Sequence, residues 1–282
     1  MGQILDGKAL ADLRSIKLKE KVAILKQNGI NPLFCVINIG NDLSSKIYLR
    51  SKKKRATEIG IKQNIYQLSE NVTQENLLAL IDRLNLDDRV NGIMIQLPVP
   101  DQINLNEALA KISPSKDVDC LTPANIGRLW RGDHFVEPAT AHGILALLNY
   151  YRIELRGKNV VIIGRSSIVG KPLAALMLEQ DATVSILHQK TKNLEQYTKR
   201  ADILVSAAGQ VNLVTAEMVK KGAVVIDVGI SQVNGKTVGD VDFDNVAPKT
   251  SFITPVPGGI GPLTVESLME QVVRLTRREN AR

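Results

Sequence analysis

Val160-Val-Ile-Ile-Gly-Arg-Ser-Ser-Ile-Val-Gly-Lys-Pro172 is the stretch from which the fold is read. Val160–Ile163 are consecutive β-branched residues, the pattern of a short strand buried on both faces, as in a parallel sheet. Gly164 ends the strand, Arg165, Ser166 and Ser167 form a turn, and Ile168 onward reads as a helix with Leu173, Leu176 and Met177 on one face. A glycine turn between a buried strand and a helix start aims backbone N–H groups at one point, which suits a diphosphate. The usual dinucleotide fingerprint is G-x-G-x-x-G. Here Gly164–Gly170 reads G-x-S-x-x-x-G, so the turn by itself is equally readable as an ordinary βα connection.

The next strand sharpens the reading. Ala182–Leu187 runs into His188-Gln189-Lys190, where a fold binding NAD carries an acidic residue for the ribose 2′-hydroxyl. No carboxylate stands there, while Arg165, Lys190 and Lys192 are near in sequence. That set of charges favours a 2′-phosphate, and hence NADP over NAD.

At 282 residues, and with roughly 150 residues per domain as a guide, two domains are expected. The two cysteines, Cys35 and Cys120, make no metal-ligand spacing, and His134, His142 and His188 add none, so no metal is expected. Unpaired cysteines fit a reducing cytoplasm. No apolar run approaches the about 18 residues of a membrane span, and no signal peptide is recognisable. The net charge of +7 is spread along the chain and aromatics make up only 4%, which argues against nucleic acid and for attraction of small anions.

Before the glycine turn, residues 8–27 read as a helix, 33–39 as a strand, and Ser44 or Ser45 as the cap of a helix to Ile59. A weaker strand (64–68), a helix opened by Thr73, and a buried strand at Gly92–Leu97 complete a small parallel α/β unit. Residues 111–139 read as irregular, and a helix from His142 to Tyr150 leads into the glycine-turn unit, whose further strands are 203–207 and 224–228. Thr254–Thr264 reads as a rigid proline- and glycine-rich loop, followed by a closing helix.

Tyr48 and Lys52 are four apart on one helix face, inside a basic run whose ordinary reading is a solvated surface. A catalytic lysine there needs burial or a cationic neighbour to lower its pKa, and Lys53, Lys54 and Arg55 are candidates for that field. Gln96, beside Leu97, ends a parallel strand, the edge at which such sheets bind ligands. Asp117 and Asp119 are spaced to share a side in extended chain, with a local loop bond the plainer reading of Asp117. Asp240-Val-Asp-Phe-Asp244 opens like a calcium loop but lacks its glycine and closing glutamate.

Taken together, Ile4–Ala11, Tyr48-x-x-x-Lys52, Gly92–Pro100, Lys116–Asp119, Gly164–Gly170, Val225–Ile230 and Thr254–Thr264 resemble the bifunctional methylenetetrahydrofolate dehydrogenase/methenyltetrahydrofolate cyclohydrolase family, essentially end to end. The resemblance implies two α/β domains facing a cleft: residues 1–139, closed by the helix 264–282, and a Rossmann-type domain of residues 140–263. It implies NADP-dependent oxidation of methylenetetrahydrofolate and hydrolysis of the methenyl product to 10-formyltetrahydrofolate, with a dehydrogenase of weak cyclohydrolase activity as the alternative. A homodimer through the nucleotide domain is implied as well.

In that picture Lys52 is the base and proton carrier, Gln96 bonds and tunes it, Tyr48 packs on the folate, and Asp119 binds the pterin edge. Leu97, Pro257, Gly258 and Gly261 line the folate site, and Gly164, Arg165, Ser166 and Ile230 hold NADP. Gln189 stands where a family serine seats the 2′-phosphate. The sequence also carries Cys120-Leu121 where the family has Gly-Phe, and Ala139 and Ala141 in its Pro-Cys-Thr-Pro segment.

Overall fold

The computed structural model describes residues 2–279, without the side chains of residues 43–45, 47, 48 and 279. Along the chain come β1 (Gln3–Ile4), α1 (Gly7–Gln27), β2 (Leu33–Ile39), α2 (Leu43–Ile59), β3 (Lys62–Leu68), α3 (Gln74–Leu86) and β4 (Gly92–Ile95). Helices α4 (Leu105–Lys111), α5 (Pro123–Arg131) and α6 (Ala139–Tyr150) lead to β5 (Asn159–Ile163), α7 (Gly170–Glu179) and β6 (Thr183–Leu187). There follow α8 (Leu194–Thr198), β7 (Ile203–Ser206), β8 (Val224–Asp227) and the hairpin strands β9 (Ser231–Val233) and β10 (Lys236–Val238). Then α9 (Phe243–Val246), β11 (Phe252–Ile253) and α10 (Ile260–Glu279) complete the described chain.

Two compact units divide the chain: Leu13–Ala139 with Val265–Arg282, and Met1–Asp12 with Thr140–Thr264. The first twelve residues thus group with the glycine-turn unit, which differs from the 1–139 division read from the sequence. The cause is β1, which joins that unit's sheet at its edge, Gln3 pairing with Phe252 and Ile4 with Ile253.

In the first unit three parallel strands lie in the order β3-β2-β4. The central strand is apolar at nearly every position because helices cover both faces. Phe34 and Val36 share one cluster with Leu18 and Val22 of α1, Ala56 and Ile59 of α2, and Met269 and Val272 of α10. Cys35 and Ile37, on the other face by strand alternation, pack with Leu77, Ile81 and Leu84 of α3. Beyond β4 the chain returns in extended form: Asp117 bridges Ile93 in parallel, and the Ile93 N–H donates to the Lys116 carbonyl at 2.7 Å.

The second unit holds a parallel sheet in the order β6-β5-β7-β8-β11-β1. From β5 the chain moves outward to β6 and then back to β7 on the opposite side. The C-terminal ends of β5 and β7 therefore flank the reversal of strand order, where doubly wound sheets bind their ligands.

Several boundaries differ from the sequence reading. Residues 111–139 are not irregular throughout: α5 lies within them, capped by the Thr122 side chain, with Pro123 in its first turn and a left-handed Gly132 at its end. Helix α7 begins at Gly170, two residues after the expected start. The expected loop 254–264 is shorter, because α10 already begins at Ile260. Ser44 and Ser45 fall inside the first turn of α2, not at its cap. Among the described residues no helix is long and apolar enough to cross a membrane.

Candidate active site

Within the first unit, α2 turns Lys52 inward while its neighbours Lys53 and Lys54 face solvent. Lys52 is 7% exposed. Its Nζ donates to Gln96 Oε1 at 2.9 Å and lies 3.6 Å from Met94 Sδ. Gln96 is held from two sides. Its backbone N–H donates to the Ile37 carbonyl at 2.8 Å, extending the β4 ladder, and its side-chain Nε2 donates to the Leu97 carbonyl at 2.8 Å. With Nε2 so engaged, Oε1 is the atom turned to the lysine. The sequence reading missed Met94, although it lies two residues before Gln96 and so on the same side of the strand.

Burial lowers the Lys52 pKa, and the nearby Asp119 carboxylate works in the opposite direction. The cationic neighbours considered from the sequence are not the cause: Lys54 pairs with Glu58 and Arg55 donates to Ser15 Oγ at 3.0 Å. Asp119 is itself pushed up to about 6 by burial, with the Lys52 charge lowering it and Asp117 raising it. The pair thus combines an amine that loses its proton easily with a carboxyl that holds one unusually well.

The four residues Lys116–Asp119 do four different things. Lys116 Nζ donates to the carbonyls of Asn85 and Asp87, both at 2.8 Å, at the C-terminal end of α3. Asp117 is almost fully buried and accepts from the N–H groups of Leu121 and Thr122 and from Asn125 Nδ2, the local loop bond that its sequence position implied. Val118 is core, and Asp119 is electrostatically coupled to Lys52. Cys120 adopts a left-handed φ of 56°, with its Sγ buried 3.4 Å from the Val136 carbonyl. The side chain of Tyr48 lies outside the described residues.

In the second unit the turn after β5 closes tightly on itself. Gly164 has φ 126°, and a Cβ there would overlap the Ala207 carbonyl, while one on Gly170 would overlap the Gly164 carbonyl. Ser166 Oγ accepts from the Val169 N–H at 3.1 Å and the Gly170 N–H at 3.4 Å, drawing the turn toward the start of α7. The backbone N–H groups of Ser166, Ser167 and Ile168 make no hydrogen bond among the described residues. Arg165, Ser166, Gln189, Lys190 and Lys192 are exposed. Open N–H donors at a helix start, with the exposed Arg165 in the same turn, have the chemistry to hold a diphosphate.

Ile230 is 43% exposed just past β8. It adjoins Gly261, whose added Cβ would sit 3.7 Å from Ile230 Cδ1. Pro257 and Gly258 belong to the segment before α10, where the Gly258 carbonyl accepts from the Lys8 N–H at 2.8 Å. The sequence-derived site residues thus form two groups, each within its own unit.

Two α/β units, one holding a buried lysine bonded to a strand-end glutamine and one a dinucleotide-type turn, have the build of a nucleotide-dependent enzyme. Residues 5–119 match the tetrahydrofolate dehydrogenase/cyclohydrolase catalytic domain, and residues 138–280 match the NAD(P)-binding domain of the same family. The chain belongs to the tetrahydrofolate dehydrogenase/cyclohydrolase family. It is 64% identical over 282 residues, covering 100% of both chains, to the bifunctional protein FolD of Lactobacillus acidophilus. The crystal structure of the Campylobacter jejuni bifunctional FolD superposes with a TM-score of 0.97 at 48% identity, covering 99% of each chain. A Trypanosoma brucei FolD complexed with NADP cofactor and inhibitor superposes at 0.95 with 39% identity, covering 100% of this chain and 99% of that one.

Proposed function

We propose that this chain oxidises 5,10-methylenetetrahydrofolate with NADP and hydrolyses the resulting 5,10-methenyltetrahydrofolate to 10-formyltetrahydrofolate. The observation that carries the reading is Lys52, an amine buried and hydrogen-bonded to Gln96 on a strand end. Burial lowers its pKa, so it gives up its proton more readily than a solvated lysine does. That amine takes a proton from the water attacking the methenyl carbon and returns it as the ring opens. Gln96 fixes the amine's direction, and Asp119 sets its proton affinity and offers an acceptor to the pterin edge. Tyr48, Leu97, Pro257, Gly258 and Gly261 are assigned to folate binding on the sequence resemblance.

Gly164, Arg165, Ser166, Gln189 and Ile230 hold NADP, with Lys190 and Lys192 supplying positive charge toward the 2′-phosphate. NADP, when bound, accepts the hydride that leaves the methylene carbon. Alignment, not a strong base, is what that step asks of the protein. The same reading places the enzyme in the cytoplasm, which its two unpaired, buried cysteines support. It also pairs two chains through the nucleotide-binding unit, which sedimentation velocity tests directly.

Lys52→Met is the decisive variant. Methenyl decay is expected to slow by about 10²- to 10⁴-fold, with NADP binding retained. Normal hydrolysis by the variant removes Lys52 from the mechanism. Wild-type NADPH formation without methenyl hydrolysis leaves a dehydrogenase alone.

A further inference from the structure

Beyond the turn after β5, the second unit contains a buried pair of carboxylates that the reaction chemistry does not use. Asp240 is fully buried, and its carboxylate accepts four hydrogen bonds. Oδ2 receives Ser206 Oγ at 2.9 Å, the Ala208 N–H at 2.7 Å and the Gly209 N–H at 3.2 Å, and Oδ1 receives the Gln210 N–H at 2.9 Å. Asp227, the last residue of β8, accepts the N–H groups of Gly229, Asp240 and Val241, each at 2.9 Å. Its own N–H donates to Thr254 Oγ1 at 2.7 Å. The packing admits no side chain between the two: a Cβ on Gly229 would overlap the Asp240 carboxylate, and one on Gly239 the Asp227 carboxylate.

These bonds end on the two segments beyond the C-terminal ends of β7 and β8. Ala207 is the residue against which Gly164 closes, and Ala208, Gly209 and Gln210 hang from Asp240. Gly229, bonded to Asp227 and pressed on Asp240, immediately precedes the exposed Ile230. We infer that Asp240, backed by Asp227, is a positioning residue for NADP: it shapes the 207–210 and 228–230 segments and touches no cofactor atom itself. The inference rests on the assignment of Gly164 and Ile230 to the NADP site.

An acceptor on both oxygens is what the geometry demands. Backbone N–H groups aim at Oδ1 and at Oδ2, so an amide turned either way sets its NH₂ against a fixed donor. Asp240→Asn is therefore expected to raise the Kd and the KM for NADP about 10- to 100-fold, the consequence of buried donors left without an acceptor. Methenyl hydrolysis, measured on the same preparation, is expected to stay within about twofold of wild type, because none of the four residues bonded to the Asp240 carboxylate is assigned to folate and Lys52 belongs to the other unit. Ser206→Ala, which leaves the backbone donors satisfied, is expected to raise the Kd about threefold.

Unchanged NADP affinity in both variants overturns the inference. So does an Asp240→Asn protein that loses hydrolysis and cofactor binding in equal measure, since that pattern belongs to a residue holding up the whole fold. Should Asp240→Asn fail to fold, the Ser206→Ala Kd decides alone, a rise supporting the inference and wild-type affinity overturning it. Failure of the wild-type protein to bind NADP is a separate result, and it overturns the cofactor assignment.

Discussion

At the scale of the residue, charge state at Lys52 is governed by opposing influences. Burial disfavours the ammonium, and the Asp119 carboxylate favours it. Replacing Asp119 by Asn keeps the shape and removes the negative charge, so the amine loses the one influence that raises its pKa. Its proton then leaves at lower pH, and the acidic limb of the hydrolysis pH profile moves toward acid. A limb in Asp119→Asn that stays in place, or moves toward alkali, contradicts the coupling. The measurement is kcat/KM for methenyl hydrolysis against pH, corrected for the uncatalysed reaction. Cys120 has a structural explanation of a different kind. Its left-handed backbone is the conformation that glycine takes without strain, which gives a steric reason for the glycine that the sequence resemblance expects at this place. The cysteine side chain is buried in the core cluster, and burial pushes its thiol well above the ordinary range, which leaves it unreactive.

At the scale of the element, the β5–α7 turn is defined by contact and not by motif. The G-x-S-x-x-x-G spacing departs from the usual fingerprint, yet Gly164 and Gly170 approach backbone so closely that neither position accepts a side chain. Ser166 substitutes hydrogen bonds to the helix start for a glycine's freedom. Gly164→Ala combines a disfavoured φ with a clash against Ala207, so the turn must open. The expected result is an NADP Kd at least about tenfold weaker, from distortion of a few kcal/mol at most, with methenyl hydrolysis preserved. Fluorescence titration with NADPH checks it. Helix α5 teaches the complementary lesson. Its Thr122 cap, first-turn proline and terminal Gly132 are all readable signals, but the prolines and glycines around it read as loop punctuation when helix capping is not considered.

At the scale of the whole molecule, each unit is assembled from segments distant in the chain. Glu266, nearly fully buried on α10, pairs with Arg14 Nε of α1 at 2.8 Å, and Glu270 pairs with the same guanidinium. Leu268, Met269 and Val272 fill the cluster that also contains Met94, the sulfur beside Lys52. Truncation after Thr264 is therefore expected to abolish methenyl hydrolysis and the cooperative unfolding of the first unit, read by near-ultraviolet circular dichroism and hydrogen exchange. A truncated chain with native hydrolysis would refute that role for α10. The sequence by itself determined the two parallel α/β units, the glycine turn and the short list containing Lys52, Gln96 and Asp119. The units and the turn rest on local pattern, β-branched runs, helical spacing and strand ends, whereas Lys52, Gln96 and Asp119 are singled out by the end-to-end resemblance to a family. Only the tertiary structure decided which lysine of a basic run is buried, that Asp117 holds a turn while Asp119 is coupled to the amine's charge, and that β1 joins the second unit's sheet. Burial and the partners of a carboxylate are set by residues far along the chain, and no local pattern carries them.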